Sequence, residues 1–115
     1  MQDKVDGRRL RLLFRTIAGI HRYFGDEEFE IGYEAAAERI PEKPLTKQEA
    51  RAAIFPDSRI DPQVIEKFYQ PEADPFYSVL SYVVRTTAHE RRLVERGRLQ
   101  AYFINAFGTA YKRSW

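Results

Sequence analysis

The chain has 115 residues, 43% of them hydrophobic and 31% charged, with no cysteine and a formal net charge of +2. That length suits one domain whose core buries roughly two-thirds of the unfolded surface. The missing cysteine excludes disulfides, thiolate zinc sites, iron–sulfur clusters and cysteine nucleophiles.

No apolar run approaches the roughly 20 residues of a membrane helix, and the N-terminal stretch is too charged for a signal peptide. A cytoplasmic protein with no membrane partner is therefore expected. The near-neutral balance conceals a partition along the chain. Residues 1–25 carry six basic and two acidic side chains, residues 26–74 six basic and thirteen acidic, and residues 75–115 seven basic and two acidic. Eight Phe, seven Tyr and one Trp are enough either to fill a small core with large side chains or to leave some at a partial interface.

The first predicted helix spans residues 7–24. Leu10, Leu13, Phe14, Ile17, Ile20 and Phe24 share one arc of a 3.6-residue repeat, and Lys4, Arg8, Arg11, Arg15 and Arg22 share the opposite one. Gly25 suits a left-handed C-terminal cap, and Asp26 the N-cap of a second helix opened by Glu27 and Glu28. In that helix Phe29, Tyr33, Ala36, Ala37 and Ile40 are expected on one inward face, and Pro41 and Pro44 end it. Thr46 and Glu49 have capping-box spacing, with Leu45 and Ala50 as staple, which predicts a helix over residues 47–54 closed by Phe55-Pro56. Asp61-Pro62 gives an N-cap with proline at the first helical position. Ile60 and Ile65 sit at staple positions, and Val64, Ile65 and Phe68 form the apolar face.

Pro71 stops that helix, and Asp74-Pro75 starts the next. Val79, Leu80, Val83, Thr87 and Val94 mark one inward stripe; Leu99, Tyr102, Phe103, Ala106, Phe107 and Ala110 mark another, with a break or bend expected at Gly97 between them. The pattern predicts an all-α, compact bundle of five or six helices in one domain over residues 1–115, the first and last helices long and amphipathic, and no sheet. Neither repeats nor flexible linkers interrupt it.

The candidate site is a pair of basic rows. Lys4, Arg8, Arg11 and Arg15 step by 4, 3 and 4, as do Arg85, His89, Arg92 and Arg96, and Arg22 extends the first row. Such a row places charges roughly 5–6 Å apart, close to the phosphate spacing of a single strand, and arginine suits bidentate phosphate contact. The same rows could instead pair with the chain's own acidic middle or with a partner protein, or simply face water. His21 lies at the rim of the first helix's apolar face, as a hydrogen-bonded core-edge residue rather than a ligand. Glu90 falls on the inward arc and calls for a cationic partner or a local bend. Two histidines without a metal-binding motif, and no glycine-rich phosphate loop, leave no metal, no cofactor and no nucleotide hydrolysis expected.

Arg85-Thr-Thr-Ala-His89-Glu90 resembles the Arg-to-His helix motif of the metal-free HEPN ribonucleases. Three residues intervene here where the family has four to six, and Thr86 stands where it has Asn, Asp or His, so no catalytic role is carried over. In size, helical class and charge polarity the chain is similar to the small helical subunits that line nucleic acid in multisubunit CRISPR effector complexes.

The resulting expectation is a non-enzymatic subunit that contacts the backbone of RNA or single-stranded DNA with low sequence specificity. Its partners would be nucleic acid and neighbouring protein subunits, copies of itself included. The alternative is an adaptor or inhibitor that uses its acidic middle and exposed aromatics to occupy a basic groove on another protein.

Overall fold

The computed structural model describes residues 4–55, 57–70 and 75–87. In chain order these form β1 (Lys4–Asp6), α1 (Gly7–Tyr23), α2 (Glu27–Arg39), β2 (Pro44–Thr46), α3 (Lys47–Ile54), α4 (Pro62–Phe68) and α5 (Pro75–Thr87). The stop and start signals at Pro71 and Asp74, the bend at Gly97, Glu90 and the stripes from Val94 to Ala110 lie outside the described residues, as does any long terminal helix.

Local signals set most of these elements. Every apolar position expected on the inner arc of α1, from Leu10 to Phe24, is buried. Each fully buried Leu, Ile or Phe contributes about 1.5–3 kcal/mol of transfer free energy. The helix begins where the Asp6 carboxylate accepts from Arg8 N at 2.9 Å. It ends at Gly25, whose φ of 78° is the left-handed conformation that glycine adopts without steric cost. The Thr46–Glu49 capping box closes both ways, at 3.1 and 2.8 Å, over buried Leu45 and Ala50. Asp61 caps α4 by accepting from Gln63 N at 2.9 Å, with Ile60, Val64, Ile65 and Phe68 all buried beneath it.

Three local expectations are corrected. The chain does contain a sheet: β1 and β2 pair antiparallel, with Val5 opposite Leu45, and both side chains are buried. Three-residue strands are too short for period-2 alternation to stand out, and the pairing joins segments distant in sequence. Consequently Lys4 lies on a strand, and the helical row on α1 starts at Arg8. Phe29, expected inside, is 41% exposed at the edge of α2.

Gly7 joins strand to helix in a space no side chain fits. Its N–H donates to Lys43 O at 2.9 Å, and a Cβ there would overlap the Pro41 carbonyl oxygen. This close approach holds the strand pair against the end of α2. Helix α1 packs mainly on α2 and also on α5, while α4 packs on α5. Among the described residues no helix is long and apolar enough to cross a membrane.

Candidate interaction surface and aromatic pocket

Three arginines of α1, Arg11, Arg15 and Arg22, find carboxylates on or just after α2. Arg11 is the most enclosed, its side chain only 17% exposed. Its Nε donates to Ala37 O at 2.9 Å, one nitrogen pairs with Glu42, and another lies 3.7 Å from Glu38. A guanidinium at the last carbonyls of α2 adds a donor to Ala37 O, which also accepts from Ile40 N, and offsets the negative end of the helix dipole. Arg15 pairs with Glu38 at 3.2 Å and Arg22 with Glu30 at 4.0 Å. Arg8 turns back to Asp6 at 3.6 Å. The row therefore follows the internal-pairing alternative along much of its length, as a seam between α1 and α2. Exposed pairs of this kind contribute about 0–1 kcal/mol each.

Of the second row, Arg85 falls on α5 and its side chain, like His89, Arg92 and Arg96, lies outside the described residues. Other arginines that the row pattern did not single out also have structural work. Arg39 donates to Ala53 O and Ile54 O at 3.1 and 3.0 Å, closing the C-terminal end of α3. Arg9 lies 5.9 and 5.7 Å from the ring centroids of Phe68 and Phe76, a cation–π arrangement. Arg59 grips Asp57 through two nitrogens at 3.0 and 2.9 Å and pushes that carboxyl down to about 2.

Helix α2 also carries exposed side chains beside this seam. Glu27, Glu28 and Glu34 are exposed there, and among the described residues none of the three is in an ion pair. Two large apolar side chains are also exposed on α2: Ile31, at 51%, beside Glu34 and Glu38, and Phe29, at 41%, on the side of the helix that meets His21. Ile31, Glu34, Ala35 and Glu38 line an open groove of about 570 Å³ with Arg15 at its edge.

A smaller pocket, about 100 Å³, lies where α2, the segment before α4, and α5 converge. His21 forms part of its wall, stacked on Phe29 at 5.3 Å and on Tyr33 at 5.5 Å between centroids. The histidine side chain is 12% exposed, in keeping with a core-edge position, and Nδ1 lies 3.5 Å from Asp26. Burial lowers its pKa, against the opposing attraction of the Asp26 carboxylate. On the far side, Tyr33 Oη accepts from Asp61 N at 3.1 Å, and the Tyr82 hydroxyl donates to the Asp61 carboxylate. Burial pushes the Tyr33 phenol up to about 12; the bond to Asp61 does the same for Tyr82. Sequence periodicity could not find this pocket, because it joins residues from four separate segments.

Among the described residues no group of three or more His, Asp or Glu side chains could hold a metal ion. The chain matches no protein-family model, and neither a curated protein nor a solved structure matches it significantly.

Proposed function

We propose that this protein is a non-enzymatic interaction module that docks a basic surface of a partner protein against the outward face of α2. One observation carries this reading. The arginines that would meet a phosphate backbone are paired with carboxylates along the α1–α2 seam, while Glu27, Glu28 and Glu34 are in no ion pair among the described residues and Ile31 stands exposed beside Glu34. Apolar anchors inside a charged rim are the composition of a protein interface, in which the anchors supply most of the affinity and the charges steer the encounter. The partner would present lysine or arginine around an apolar contact, on a neighbouring subunit or a second copy.

Nucleic-acid contact is the second reading. It rests on the side chains of Arg8, Arg15 and Arg22, which remain 71%, 52% and 73% exposed despite their ion pairs. Phosphates would then have to displace the carboxylates, and the second row would supply the rest of the site.

Fluorescence anisotropy separates the two readings. The probes are a lysine–leucine peptide, its glutamate–leucine counterpart and a short single-stranded RNA at one ionic strength. The docking reading requires binding of the lysine peptide, weakened about tenfold by Phe29→Ala with Ile31→Ala. Preferential RNA binding that falls steeply with salt and is lost in Arg8→Glu with Arg15→Glu would replace it with the second reading.

A further inference from the structure

We infer that the pocket bounded by Phe29, Tyr33, Asp61, Tyr82 and Thr86 is an anchor site for a lysine side chain. This rests on the docking reading for its biological partner, because Phe29 belongs to the pocket wall and is also an exposed apolar side chain of α2. The pocket chemistry stands by itself.

Four features select the occupant. The first is size: about 100 Å³ is roughly three water volumes, enough for an ammonium and its last methylenes. The second is the wall. Phe29, Tyr33 and Tyr82 offer aromatic surfaces that attract cations, and Tyr82 already has Lys67 Nζ 5.0 Å from its ring centroid.

The third is charge. Asp61 brings a carboxylate that keeps acceptor capacity after its bonds from Gln63 N and the Tyr82 hydroxyl. Arg59 also lines the pocket, and its positive charge is matched by its bidentate hold on Asp57. His21, held below its ordinary pKa by burial, adds no positive charge at neutral pH. Arg59 being already paired with Asp57, an anion entering this pocket would meet the Asp61 carboxylate, whereas an ammonium would meet Asp61 and the oxygen lone pairs of Tyr33 and Tyr82. The fourth is access: Phe29 and Thr86 are exposed, giving the pocket a surface mouth among the described residues. Once inside, the lysine ammonium exchanges water for a carboxylate and aromatic surfaces, and its stem packs along Phe29.

The test titrates the folded protein with n-butylammonium, a lysine side-chain mimic, and follows amide and aromatic NMR signals. Butanol and butyrate serve as neutral and anionic controls. Saturable shifts confined to Phe29, Tyr33, Tyr82 and Thr86 are expected, with butanol binding at least about fivefold more weakly and butyrate not at all.

Asp61→Asn keeps a good helix N-cap while removing the charge, so it preserves the fold and weakens butylammonium about tenfold. Phe29→Ala, at an exposed position, weakens it roughly three- to fivefold. Equal binding of butanol, full binding by Asp61→Asn, or the absence of saturable shifts in the pocket would each overturn the assignment. If butylammonium fills the pocket but the lysine–leucine peptide does not bind, the surface reading alone falls. If the peptide binds and butylammonium does not, only the pocket assignment falls.

Discussion

Arg11 lies 26 positions before Ala37 in the chain, yet its Nε donates to the Ala37 carbonyl at 2.9 Å and ties the middle of α1 to the last turn of α2. That bond changes the meaning of the arginine row. A row that reads as a phosphate track in one dimension is, in three, partly a structural seam. Arg11→Ala should therefore lower unfolding free energy by about 1–2 kcal/mol in urea melts, through a lost carbonyl bond, the lost pair with Glu42 and the packing of a largely enclosed side chain. Arg15→Ala should change it by no more than about 0.5 kcal/mol, because an exposed pair contributes little. Equal effects of the two would remove the distinction.

The glycines give an ordered stability series. Gly7→Ala must push a methyl group into the Pro41 carbonyl, which forces the strand pair away from the end of α2 and should cost more than about 2 kcal/mol. Gly25→Ala meets open space and carries only the cost of its φ of 78°, about 1 kcal/mol. Thermal melts that reverse this order would show that the approach at Gly7 is relieved cheaply.

The buried His21 sets a pH dependence near neutrality. Its folded-state pKa is lowered, so the unfolded chain binds more protons just below the unfolded value of 6.5. Stability is then full above pH 6.5 and is lost as pH falls from there toward the lower folded-state value. The groups around the ring are Asp26 at the α1–α2 corner, Tyr33 on α2, Arg59 and Asp61 before α4, and Tyr82 on α5. Of these Asp26 opposes the shift, and burial outweighs it. His21→Phe keeps a stacking ring and should flatten that part of the stability curve; an unchanged slope would place the dependence elsewhere.

The phenols report the opposite end of the scale. With Tyr33 and Tyr82 both pushed up to about 12, neither should show tyrosinate absorbance at pH 11 in the folded state. Their folded-state pKa values exceed the unfolded 10, so stability declines as pH rises between about 10 and 12. Asp61→Asn should lower the Tyr82 midpoint, seen as earlier absorbance on alkaline titration, because the carboxylate that holds its proton is gone.

What the sequence disclosed follows from the range of each interaction. The apolar arc of α1, the Thr46–Glu49 box and the Asp61-Pro62 start are written within a few consecutive residues, and each appears at its expected position. The β1–β2 pairing and the close approach at Gly7 are settled by contacts across the fold. Phe29 illustrates the limit at one residue. Its helical angle is right for an inward face, but at the first turn of α2 that face meets His21 and a pocket mouth instead of the core. The arginine row was legible as a pattern, and its pairing with the acidic middle was an open alternative. Only the placement of Ala37, Glu38 and Glu42 beside Arg11 shows which of its partners are internal.

Charge reversal on α2 tests the central claim most directly. Glu27, Glu28 and Glu34 are exposed and outside the core, so their joint replacement by lysine should leave the fold intact and lower the thermal melt only modestly, through lysines that oppose the dipole in the first turn of α2. The docking account predicts that this variant loses the lysine–leucine peptide by at least about tenfold, with RNA binding no weaker than in the parent protein. Undiminished peptide binding by the folded variant would contradict it.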